Sequence, residues 1–238
     1  PQYFFQKEKV KEYNRKIEKE VNCLAEKLNL TAGTDYEKEI KIHDWICHNI
    51  SYDDEGADRS KPMRMIASHN IFGVFAHHRA QCEGLAKAVK VLLNAVDVRC
   101  IVVTGESVKN GKRVPHAWNM VNIDGQPYHF DVTWDIGAIG SSFKRISYDY
   151  FNLSDQLIAK EHKADTQLPS CSSMLHNYFK VNKRTFWMKS QAMAYVEKAL
   201  QGGDTEFYFR IEGRNVASDV AEKIYDQICV FFSGKGIT

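Results

Sequence analysis

Cys82 lies in the run Ala80-Gln81-Cys82-Glu83-Gly84-Leu85-Ala86-Lys87-Ala88-Val89, and its surroundings invite chemistry. Apolar or small residues at Leu85, Ala86, Val89, Leu92, Leu93 and Val96 recur with helical period and no proline, predicting a buried helix from about Cys82 to Asn94. Cys82 then falls in the first turn, where unpaired N–H groups and the positive end of the helix dipole favour a thiolate, the nucleophilic form. The competing role is core filling, the ordinary use of a buried cysteine.

A thiol nucleophile needs a base, and the base needs a group to hold it. His116 to Ile123 and Gln126 to Trp134 read as strands joined by Asp124-Gly125, a strong two-residue hairpin signal. Pairing Ile123 with Gln126 sets His116 opposite Thr133 and Trp118 opposite Asp131, and paired residues share a face. His116, Trp118, Met120 and Asn122 therefore lie with His129, Asp131 and Thr133. Val121, Ile123, Tyr128, Phe130, Val132 and Trp134 line the other, apolar face, so Trp134 is expected in the core and Trp118 beside the site. His116 and Asp131 become diagonal neighbours with Cβ atoms about 7 Å apart or less, close enough for a carboxylate to hold an imidazole. The three residues suit thiol acyl transfer: Cys82 attacks a carbonyl, His116 takes the thiol proton and returns it to the leaving amine, and Asp131 fixes the ring.

The elements that must position these groups are legible around them. From Gln6 to Leu30, apolar residues at Val10, Tyr13, Ile17, Val21, Leu24 and Leu28 give an amphipathic helix with balanced charges, expected to pack on the core with a solvated outer face. Thr34-Asp35-Tyr36-Glu37 is a capping box opening a second helix through about Asn49. Residues 51 to 64 read as a polar loop whose acids do not match the spacing of a calcium loop. Arg99 to Gly105 is a β-branched strand run. After Pro169 the pattern changes: Asn177 to Val181 and Thr185 to Met188 suggest a short hairpin, Gln191 to Gln201 a helix, Thr205 to Ile211 a strand, and Val216 to Phe231 a last helix. The expected organisation is residues 1–33 as an N-terminal helix, 34–168 as the catalytic core and 169–238 as a small α+β subdomain.

Composition is that of a globular protein: 238 residues, 44% hydrophobic and 26% charged, with 32 basic against 30 acidic side chains. The net charge of +2 gives no electrostatic reason to invoke nucleic acid or an anionic membrane. Six cysteines without CxxC pairs read mostly as free thiols, and no apolar run reaches the length of a membrane span. The chain begins at Pro1 rather than methionine, which reads as a processed product; compartment is therefore open, and a secreted or cell-surface location after leader removal is compatible with it. His77, His78 and Cys82 together invite a zinc site, but the third ligand would be the nucleophile itself, so no metal and no cofactor are expected.

Three blocks, Cys82-Glu83-Gly84-Leu85-Ala86-Lys87-Ala88, His116-Ala117-Trp118-Asn119 and His129-Phe130-Asp131-Val132-Thr133-Trp134-Asp135, resemble the motifs of the transglutaminase-like superfamily, most closely its bacterial branch of papain-like cysteine proteases and acyltransferases. Ile42-His43-Asp44-Trp45 with Ile50-Ser51-Tyr52-Asp53 looks like the helix end that precedes the nucleophile there. Tyr150-Phe151-Asn152-Leu153-Ser154-Asp155 and His162 look like the segment after the core. The likeness covers roughly residues 36 to 165. It implies an α+β fold with N-terminal helices, a nucleophile at a helix start and an antiparallel sheet, and it carries the triad onto Cys82, His116 and Asp131. Glu83 stands where animal transglutaminases have tryptophan, so their substrate specificity does not transfer.

For the oxyanion the Cys82 amide is the expected donor. Gln81, Tyr52 and Trp45 are candidate side-chain donors, each with a packing or capping role as the alternative, and Trp118 is a candidate wall of the substrate channel. The expected activity is acyl transfer from a peptide or protein amide through a thioester. Hydrolysis is slightly favoured over transglutamination, because water is the default acceptor. A noncatalytic binding or scaffold module is the alternative from another class.

Overall fold

A computed structural model describes residues 7–109, 111–136, 146–204 and 207–212, together with 225, 226 and 230. By contact density the chain forms two units, Pro1–Asn177 and Tyr178–Thr238.

In the first unit, α1 (Lys7–Lys27) buries Ile17, Val21 and Leu24, while Val10 and Tyr13, earlier on the same stripe, remain exposed. The capping box forms: Thr34 Oγ1 accepts from Glu37 N at 3.2 Å, and Glu37 Oε2 accepts from Thr34 N at 2.7 Å, opening α2 (Asp35–Asn49). Beyond α2, β1 (Ser51–Tyr52) pairs in parallel with β2 (Arg79–Ala80), with Tyr52 opposite Ala80. Between these short strands lie α3 (Pro62–Ser68), begun by proline where its missing N–H costs nothing, and α4 (Ile71–His77), ended by His78 in the left-handed region.

Next comes α5 (Cys82–Asn94), which buries Leu85, Ala86, Val89, Leu92 and Leu93. Its first turn presses on the end of α3: a Cβ at Gly84 would stand 2.3 Å from the Ser68 carbonyl oxygen, so only glycine fits. The helix lies on a four-stranded antiparallel sheet in the order β5-β4-β3-β6, made from β3 (Cys100–Lys109), β4 (Lys112–Ile123), β5 (Gln126–Phe130) and β6 (His162–Ala164). Asn119 joins the layers, its Nδ2 donating to Ala86 O of α5 at 2.9 Å and to Ile101 O of β3 at 3.2 Å. The architecture is α+β, with helices before the sheet and Cys82 at a helix start.

The Asp124-Gly125 hairpin has the anticipated register, Ile123 opposite Gln126 and Asn119 opposite Phe130. The second strand, however, stops at Phe130 and does not run to Trp134. The Asp131 side chain accepts from Thr133 N at 3.0 Å and caps α6 (Val132–Asp135), so an aspartate, poor in strands and good at helix starts, ends the ladder. Further on, α7 (Asp155–Ile158) leads into β6.

In the second unit, Tyr178–Val181 is a short helix, α8, where a strand of a hairpin was expected. Lys183, with φ 55°, turns the chain, and β7 (Thr185–Phe186) pairs in parallel with β8 (Arg210–Ile211). Parallel pairing needs a crossover, which α9 (Lys189–Gln201) supplies by burying Ala192, Val196 and Leu200 against Phe186, Phe207, Phe209 and Ile211. Residues 205 and 206 of the anticipated strand, almost all of the anticipated helix 216–231, and Cys229 lie outside the described residues. Among the described residues no helix is long and apolar enough to cross a membrane.

Candidate active site

Cys82 occupies the first position of α5 and is partly exposed. Its backbone N–H has no intrahelical acceptor there, as for every first-turn amide. His116, on β4, places Nε2 2.6 Å from Asp131 Oδ2. Burial acts to keep the His116 ring neutral. The charge and hydrogen bond of Asp131, joined by interaction with Cys82, outweigh burial and push the ring up to about 10. Asp131 is 1% exposed, and burial works against its ionisation as well. Its two imidazole partners prevail and hold the carboxyl well below the usual range. The three side chains singled out in the sequence thus come together, with sulfur, imidazole and carboxylate in that order.

The second imidazole on Asp131 was not expected. His162 of β6 donates from Nε2 to the same oxygen, Oδ2, at 2.9 Å. Its strand lies beside β3, with Ser107 opposite His162 and Gly105 opposite Ala164. Pairing that links residues 55 apart leaves no local signal, so a histidine near the end of the family-like stretch was the only hint.

Trp118 is 1% exposed and stacks on His116, with ring centroids 6.1 Å apart and planes at 15°. The indole is buried against the His116 ring and does not wall an open channel. Trp134, placed in the core on the opposite face by the sequence reading, instead meets His116 at 6.3 Å and His162 at 5.0 Å between centroids. The turn into α6 swings it round to these two rings.

Of the other candidates, Gln81 donates its side-chain amide to Asp53 O at 3.1 Å, a bond that holds β2 to the loop after β1. Trp45 stacks on Phe75 of α4, at 6.5 Å. The Tyr52 phenol is pushed up to about 12, first by burial and then by Cys82, and by Asp54 and Asp131 beyond it. It stays a neutral phenol beside Cys82.

Among the described residues, two further clusters of His, Cys and carboxylate lie away from Cys82. His129 donates from Nε2 to Asp155 Oδ1 at 3.0 Å, with Cys171 nearby. Trp118 donates its indole N–H to His129 Nδ1 at 3.1 Å, and an indole N–H can only donate, so the ring proton must sit on Nε2. A metal on Nε2 would require a doubly deprotonated ring, so the cluster is a hydrogen-bond chain. Burial keeps His129 neutral, below its ordinary value. Around Asp131, the N···O separations of 2.6 and 2.9 Å are likewise hydrogen-bond distances.

The remaining cluster, Cys47, His43 and Asp135, has the atoms of a thiol triad, with Cys47 Sγ 3.7 Å and Asp135 Oδ2 3.3 Å from His43 Nε2. It is sealed from solvent, and burial raises the Cys47 thiol away from ionisation. The network instead ties α2 to α6, with Asp135 Oδ1 accepting from Tyr150 N at 3.0 Å.

The family model described as the Transglutaminase-like superfamily matches residues 22–132, a stretch that contains Cys82, His116 and Asp131. Kyphoscoliosis peptidase of Mus musculus is 26% identical over 159 residues, 62% of this chain and 23% of that protein. The Homo sapiens protein of the same name is 26% identical over 148 residues, 57% of this chain and 22% of that protein. The chain thus spans less than a quarter of the length of these curated relatives. A solved TGase structure aligns with a TM-score of 0.45 at 20% identity, covering 60% of this chain and 37% of that one.

Proposed function

We propose that this chain, whose residues 22–132 match the Transglutaminase-like superfamily model, is a thiol-dependent acyl-transfer enzyme acting on peptide or protein amide bonds, with Cys82 as nucleophile, His116 as acid and base, and Asp131 as the group that orients the ring. The observation that carries this reading is the 2.6 Å bond between His116 Nε2 and Asp131, which leaves Nδ1 as the nitrogen for proton exchange with Cys82.

In the proposed cycle the thiol proton passes to His116, and the sulfur forms a bond to the amide carbon. The C–N bond then breaks, and the amine departs with the proton from His116. Water adds to the thioester, giving His116 its proton, and the C–S bond breaks to release a carboxylic acid and restore the thiol. The Cys82 N–H is the proposed oxyanion donor, with the Tyr52 O–H beside it. Hydrolysis is the outcome we adopt, because water needs no dedicated acceptor subsite and the curated relatives are named peptidases.

The test is mass spectrometry of a peptide and casein library incubated with the protein, with and without a primary amine. Chain cleavage names a peptidase, a gain of one mass unit at glutamine a deamidase, and an amine adduct a transglutaminase. A product that persists with Cys82→Ala would rule out this mechanism, and no product at all would leave a binding or scaffold module.

A further inference from the structure

Asp131 is anchored at both oxygens. Oδ1 accepts from Thr133 N at 3.0 Å, and Oδ2 accepts from both His116 and His162. The His162 side chain is 0% exposed and boxed by rings, with centroids 5.1 Å from Trp118, 5.0 Å from Trp134, 5.7 Å from Tyr150 and 5.2 Å from His116. Its Nδ1 is buried without a partner. An apolar ring of that size would fill the box with no such orphan, so what the imidazole adds is its Nε2–H. The fold makes room for it: a Cβ at Gly105 would stand 2.1 Å from Lys163 O, so glycine there lets β6 close on β3.

We propose that His162 is a positioning residue for the triad, holding the Asp131 carboxylate by its Nε2–H so that the other lone pair of Oδ2 stays aimed at His116. This rests on the triad reading above, and His162 lies beyond the family-matched stretch. The groups that face Asp131 are His116 from β4, His162 from β6, the Thr133 amide from α6, the Tyr52 phenol from β1, and Tyr150, whose O–H is bonded to Glu161. The two imidazoles and the amide donate hydrogen bonds to it. Taking away one donor from a buried carboxylate makes it protonate at higher pH. His116 then loses its counter-charge sooner as pH falls, and the acid limb of Cys82 reactivity moves toward neutrality.

The experiment is the pH dependence of iodoacetamide labelling at Cys82, read by peptide mass spectrometry, in the full chain and in its His162→Phe and His162→Gln variants. The expected result is an acid limb about one pH unit higher in the Phe variant, restored by Gln, whose amide offers a donor at the same reach. A role in packing alone would leave the limb in place, and an unmoved limb with Cys82 still fast overturns the proposal while sparing the triad. Cys82 labelling no faster in the wild type than exposed Cys23 overturns both. Imidazole 15N NMR of the wild type covers the case of a variant that does not fold: His162 is expected protonated at Nε2, and a proton on Nδ1 alone overturns the proposal.

Discussion

The indole N–H of Trp118 donates to Nδ1 of His129 across 3.1 Å, which fixes one side of the ring that stacks on His116. Asp155 holds the far nitrogen of His129 at 3.0 Å, so a chain of two hydrogen bonds runs from a partly exposed carboxylate to the face of the proposed base. Trp118→Phe keeps most of the packing and removes the tether. Because Trp118 is buried away from substrate, kcat is expected to fall about tenfold or more with KM unchanged, measured by steady-state kinetics on the substrate found in the library screen.

Asp131→Asn replaces an acceptor of three hydrogen bonds by a group half of which donates. Activity is expected to fall about 10³- to 10⁴-fold, the cost of losing the orienting acid of a triad. The pH dependence of stability changes with it. His116 is raised from an ordinary 6.5 to about 10, so its contribution is complete below 6.5 and is lost as pH rises toward 10. Thermal melts between pH 6 and 10, on the order of those two limits, should show that loss in the wild type and little of it in the variant.

Gly84→Ala tests how the nucleophile is placed. The added Cβ would meet the Ser68 carbonyl oxygen at 2.3 Å, a backbone atom that cannot swing aside. The expected cost is about 1–3 kcal/mol in urea unfolding, with α5 displaced from α3 and Cys82 labelling slowed.

Glu39 lies outside the proposed mechanism and gives a clean pH test. Burial, only partly offset by the 2.6 Å bond from Asn152 Nδ2, pushes its carboxyl from 4.5 up to about 8. As pH climbs between those values the unfolded chain releases this proton and the folded one keeps it, so folding loses about 1.4 kcal/mol per unit. Glu39→Gln should therefore raise the melting temperature at pH 8 and change it little at pH 4, by differential scanning fluorimetry. An equal effect at both would contradict the protonated, buried acid.

What the sequence made legible follows the range of each interaction. Periodicity and the Asp124-Gly125 turn are local, so α5, the capping box and the β4–β5 register could be read directly. Asp131 was placed in contact with His116 by extending a strand that in fact ends at Phe130; the contact forms because the aspartate caps α6. The same turn moved Trp134 out of the core and beside the triad. His162, Asn119 and the sealed His43 network depend on pairings between distant segments, which carry no pattern along the chain. In the second unit, the two-residue strands β7 and β8 are too short for alternation to reveal their parallel pairing.

The central claim is that Cys82 is a nucleophile activated by His116. The most direct measurement is the relative rate of iodoacetamide alkylation at each cysteine near neutral pH, in the wild type and in His116→Ala, read by peptide mass spectrometry. The account predicts that Cys82 is modified well ahead of exposed Cys23 and the buried Cys47, Cys100 and Cys171, and that the substitution erases its lead. Labelling that follows exposure alone, or a fast Cys82 indifferent to loss of the imidazole, would contradict it.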